Sequence, residues 1–110
     1  MKTIKELRYI EAENLAKRNN PNPTQEEIAN ALHIMRVFYK FVFAYQAAFY
    51  AEQDRNTTQA EQAAADAKSK RAYKRAAAAL KPYKLKIAFP GLYPIIEEES
   101  GEHFTMGFYY

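Results

Sequence analysis

One segment is both too long and too apolar for the domain around it. Between Ile28 and Tyr50, Ala31, Leu32, Ile34, Met35, Phe38, Tyr39, Phe41, Val42, Phe43, Tyr45 and Phe49 keep returning to one side of a helix. At 100° per residue they cover an arc of about 200°. His33, Arg36, Lys40, Ala44, Ala47, Ala51 and Asp54 fill the remaining face. A helix over about 25–55 spans roughly 46 Å, whereas a compact domain of this length has a diameter of about 34 Å. The molecule is therefore elongated, or the helix projects into a partner. Either way its apolar surface needs cover.

Helix starts are written into the chain three times. Thr3-Ile4-Lys5-Glu6, Thr24-Gln25-Glu26-Glu27 and Thr58-Gln59-Ala60-Glu61 each fit the Thr-x-x-Glu capping box. In that motif the threonine oxygen accepts from the third helical N–H and the glutamate reaches back to the threonine N–H. The predicted helices run over about 4–18, 25–55 and 59–80. Asn19-Asn20-Pro21-Asn22-Pro23 separates the first two, and Pro82 stops the third. A single helix from Thr24 to Leu80 is the competing arrangement. The antiparallel hairpin is favoured because Asn56-Thr57-Thr58 is poor helix material and Thr58 opens a box of its own. Alanine crowds the third helix and allows close approach to the second.

After Pro82 the period changes from 3.6 to 2. Leu85, Ile87 and Phe89 alternate with Lys84, Lys86 and Ala88, and turns follow at Pro90-Gly91 and around Gly101. Strands are expected at about 84–89, 92–98 and 103–109, with Pro94 marking an edge or irregular strand. The fold class is α+β, one domain over 1–110, with three helices followed by a small antiparallel meander. Helices followed by a hairpin resemble the topology of a winged helix. No motif accompanies that resemblance and the second and third helices are about twice that module's length, so it implies no base contacts.

Composition narrows the chemistry. The chain has no cysteine, which removes disulfides, thiolate metal sites and thiol nucleophiles. No Gly-rich phosphate loop, nucleophile elbow or zinc pattern occurs. His33 stands beside Arg36, and His103 beside Glu102, without a nucleophile placed by spacing. No enzyme, cofactor or metal is expected. Ile34–Ala51 has the length of a membrane span but contains Arg36 and Lys40, so no membrane is expected. Met1–Arg8 lacks the apolar core of a secretory signal.

Charge is distributed unevenly. Lys68, Lys70, Arg71, Lys74, Arg75, Lys81, Lys84 and Lys86 place eight cations in nineteen residues with no acid among them. On a helical wheel those of the third helix form a ridge opposite a seam of Tyr73, Ala76 and Leu80. The helix dipole acts only within the last turn and does not account for Lys68 to Arg75. The ridge is thus a candidate surface for phosphate or carboxylate. Glu97, Glu98, Glu99 and Glu102 form an acidic counterpart. Their spacing fits no calcium loop, and balance against Lys84 and Lys86, or self-association through the ridge, explains them more simply. Tyr73, Tyr83, Tyr93, Tyr109 and Tyr110 are candidate contact aromatics, since a tyrosine ring is apolar and its hydroxyl polar.

These features point to a non-catalytic binding protein with a macromolecular partner, a protein or protein complex. By analogy with small cysteine-free inhibitors and adaptors, including those that phages encode, the partner expected is nucleic-acid-handling machinery. The alternatives are a structural subunit of a homo- or hetero-oligomer, such as a virion component, and a protein that binds DNA or RNA directly. The expected compartment is the cytoplasm, that of the host or a virion if a phage encodes the chain.

Overall fold

The computed structural model describes residues 1–91 and 93–101. It contains α1 (Ile4–Ala16), α2 (Gln25–Gln53), α3 (Gln59–Leu80), a 3-10 turn (Lys81–Tyr83), β1 (Leu85–Ala88) and β2 (Ile95–Glu98). The α+β order of three helices and an antiparallel sheet is as expected, with two strands described. The third expected strand, 103–109, lies outside the described residues. With principal extents of 50 × 34 × 23 Å, the molecule is elongated along α2.

Two capping boxes form in full. The Glu6 N–H donates to Thr3 Oγ1 at 3.1 Å, and the Thr3 N–H donates to Glu6 Oε2 at 3.2 Å. Thr24 and Glu27 repeat the exchange at 3.2 Å in both directions. The third box is half formed. The Glu61 N–H donates to Thr58 Oγ1, but the glutamate takes the Thr58 hydroxyl rather than its N–H.

The hairpin is made by Asp54. It leaves α2 in an extended conformation, and its Oδ1 accepts from the Asn56 N–H at 2.9 Å. That local bond gives the backbone an alternative to helix, so α2 ends at Gln53 and does not run into α3.

Leu15, Met35, Phe38, Phe41, Leu80 and Leu85 are the large, fully buried residues at the centre. α1 and α3 pack on different sides of α2, and Ile87 and Ile96 close one end from the sheet. Ala44, outside the apolar arc, is nonetheless buried, and it lines a groove together with Ala65 and Ala72 of α3. Conversely Phe43, Phe49 and Tyr50, counted in the apolar arc, stand exposed, because neighbours cover less than the full 200°. Among the described residues no helix is long and apolar enough to cross a membrane.

The strands are shorter than their sequence pattern. Lys84 adopts a left-handed conformation (φ 57°) and so precedes β1 rather than opening it. β2 begins only after Pro94, which lacks an N–H to give to the ladder. Leu85 pairs with Glu98, Lys86 with Glu97, and Ile87 with Ile96. Opposed residues share a face, so Glu98 points the same way as buried Leu85, Ile87 and Ile96. Arg18 answers that carboxylate. Its Nη1 donates to Glu98 Oε1 at 2.7 Å, while its Nε donates to the Tyr83 carbonyl at 3.2 Å. Of the charge balance that the sequence suggests within the sheet, the register places Glu97 opposite Lys86.

Two expected outcomes follow from this packing. Phe38, 1% exposed, fills the centre of the core. Phe38→Ala is expected to cost about 3–5 kcal/mol in urea denaturation through lost burial and a residual cavity. The Arg18 hydrogen bond holds the Glu98 carboxyl below its ordinary value of 4.5. A depressed carboxylate stabilises the fold fully above the unfolded value and loses that contribution as pH falls through the folded one. The stability advantage of the native chain over Glu98→Gln should therefore be present near about pH 6 and shrink below about pH 4. Thermal melts in which the gap stays constant would contradict this account.

Candidate binding groove

The hairpin has two flanks, and the basic residues of α3 are divided between them. On one flank Lys68, Arg71 and Arg75 stand beside Lys40 of α2, along a groove of about 1050 Å³. Its lining between the cations is aliphatic, with buried Val37 and Ala44 beside Ala47, Ala65 and Ala72, and exposed Phe43 adjoins them. No carboxylate lines this groove. Lys40, Lys68, Arg71 and Arg75 are all exposed.

A smaller groove of about 330 Å³ between α1 and α2 adjoins it and shares Lys40 and Phe43. Leu32, Met35 and Tyr39 supply its apolar surface, with Arg8 and Arg36 beside them. The two together make a continuous basic face around Phe43, whose side chain is 51% exposed.

The other flank differs in character. Phe41, Tyr45, Phe49, Tyr73 and Phe89 line a groove of about 580 Å³. Phe41 meets Tyr73 edge-on with centroids 5.5 Å apart, and Tyr45 meets Phe89 at 5.6 Å. Lys70 and Lys74 reach this side, where Glu52 and Asp66 balance them. Lys70 Nζ lies 3.1 Å from Asp66 Oδ2, one helical turn away.

The eight cations therefore do not line one groove. Lys68, Arg71 and Arg75 share the basic groove, and Lys70 and Lys74 share the aromatic one. Lys81 belongs to the 3-10 turn, Lys84 sits at the left-handed residue before β1, and Lys86 faces Glu97 across the sheet. Adjacent helical positions point 100° apart, which is enough to send Lys70 and Arg71 to different flanks.

The tyrosines also part company. Tyr73 belongs to the aromatic cluster and Tyr93 is exposed. Tyr83 is buried, a correction to its reading as a contact residue, because the turn through Pro82 directs it into the core. Burial raises its hydroxyl above the ordinary value of 10.0. Tyr109, Tyr110, Glu102 and His103 lie outside the described residues. Among the described residues no three His, Asp or Glu side chains gather as a metal site.

Sequence reasoning missed Arg8, Arg36, Lys40 and Phe43. The last three carried a signal: Arg36, Lys40, Phe43 and Ala47 lie on one stripe of α2, at i, i+4, i+7 and i+11. Comparison with family models, with curated proteins and with solved structures finds no match to this chain.

Proposed function

We propose that the protein is a non-catalytic binding protein, of the adaptor or inhibitor kind, that holds an anionic macromolecule against the basic flank of its helical hairpin. The observation that carries this reading is the gathering of Lys40, Lys68, Arg71 and Arg75 on one groove without a carboxylate. Like charges held together weaken a fold slightly, and neither the helix dipole nor an ion pair among the described residues accounts for these four. The groove adds cations to apolar surface and offers no carboxylate, imidazole or thiol for proton transfer or attack. That favours recognition over catalysis.

Heparin, a sulfated polyanion, provides the test. Arg71→Glu/Arg75→Glu is expected to elute from a heparin column at markedly lower salt than the native chain. Its melting temperature should change little, because exposed charges contribute about 0–1 kcal/mol. Lys70→Glu/Lys74→Glu makes the same charge change on the aromatic flank and is expected to lose much less retention. Equal loss from both double variants would mean that net charge, not the groove, governs binding.

A second reading, a subunit of a larger assembly, is favoured by a separate observation. Phe49 and Tyr50, exposed by 41% and 62%, stand near the end of α2 beside the aromatic groove. Light scattering of the native chain and of Phe49→Ser/Tyr50→Ser distinguishes the cases. Assembly through this end predicts an oligomer that the substitutions convert to monomer, and a native monomer at high micromolar concentration rules out self-assembly.

A further inference from the structure

The basic groove has a floor as well as a rim, and the floor discriminates between kinds of anionic partner. We infer that its occupant is an acidic amphipathic α-helix of a partner protein, an inference that rests on the proposed binding function and narrows it. The rim is cationic, through Lys40 on one side and Lys68, Arg71 and Arg75 on the other. The floor is aliphatic and shallow-chained: Val37, Ala44 and Ala47 from α2, Ala65 and Ala72 from α3. Such small residues let a third helix lie close in the furrow between two others, at the usual interaxial separation of about 8–10 Å.

The dimensions fit. From Val37 to Ala47 the floor runs about 15 Å along α2, the length of about three helical turns. Lys68, Arg71 and Arg75 recur at i, i+3 and i+7, close to one cation per turn. A helix lying alongside would meet them with Asp or Glu at matching intervals, and arginine can bind a carboxylate through two parallel hydrogen bonds. Its aliphatic stripe would cover the alanines, as in other helix-in-groove complexes. Beyond Lys40 and Phe43 the smaller groove continues the same pattern, with Leu32 and Met35 as floor and Arg36 as rim.

Nucleic acid matches the rim and not the floor. A duplex would meet the cations through its phosphates and leave the aliphatic furrow wet. A single strand gains its affinity by stacking bases on aromatic rings. Phe43 is the one ring among the described residues lining the basic groove, and the ring-rich groove is on the opposite flank with Glu52 and Asp66.

The test uses the full chain and fluorescence anisotropy with four labelled probes. These are an 18-residue peptide with leucines on one helical face and glutamates flanking them, a scrambled peptide of identical composition, 18-mer oligothymidine, and an 18-base-pair duplex. The amphipathic peptide is expected to bind at least about tenfold more tightly than its scrambled form, which has the same charge. Ala47→Trp fills the furrow without altering charge. It is expected to weaken the amphipathic peptide at least about tenfold and the scrambled peptide much less. Ala65→Leu replaces it should the first variant lose its helical circular dichroism. Equal binding of the two peptides, indifference to the filled furrow, or tighter binding of either oligonucleotide would overturn the helix as occupant and leave the anion-binding function standing. Failure of every probe, heparin included, would overturn both. Self-association of the native chain that Ala47→Trp abolishes would overturn the partner protein in favour of a second copy.

Discussion

Everything on the surface of this molecule depends on how closely α3 lies against α2. The buried residues of α3 are Ser69, Ala76 and Leu80, with Ala72 and Ala79 half-buried beside them and Tyr73 edge-on to Phe41 at the margin. α2 supplies the bulk from its own side through Met35, Phe38 and Phe41. Pairing an aromatic face with an alanine face brings the backbones together. It also leaves the long side chains of α3 no direction but outward. The charge of α3 is thus displayed because its packing face is small.

The two flanks of that contact are finished differently, and the difference comes from the sheet. Phe89 directly follows β1, and its ring reaches Phe41, Tyr45 and Tyr73 and makes one flank aromatic. Arg18 anchors the sheet by joining β2 and the carbonyl of Tyr83 to the end of α1. Asn19 adds a bond to the Pro82 carbonyl. The sheet is held at the end and on one side, so the opposite flank keeps a furrow of alanines between rows of cations.

Local chemistry was legible in the sequence, and most of the fold is local. The threonine caps and the proline breaks place each helix to within a few residues, and the change of period after Pro82 places the two described strands. What could not be read is set by distance along the chain. Arg18 and Glu98 are eighty residues apart, and nothing in either neighbourhood names the other. Tyr83 lies between lysines at 81 and 84, which made it resemble a surface residue, whereas a single 3-10 turn buries it. The candidate site was half legible. Lys68, Arg71 and Arg75 were singled out, but a wheel drawn for one helix cannot show that Lys40 of another completes their groove.

The same geometry explains why four cations can be kept together at little expense. All are exposed, and like charges three or four positions apart on an exposed helix face cost only about 0.2–0.5 kcal/mol per pair. Repulsion within the free protein is therefore small. An anionic helix settling into the furrow would exclude water from the alanine floor, and its carboxylates would meet the rim where screening is weaker. Cations that scarcely interact in the free state would each interact strongly in the complex, and the aliphatic floor would require that the partner's charge be arranged beside an apolar stripe. Charge then speeds encounter, and the shape of the furrow decides which anion remains.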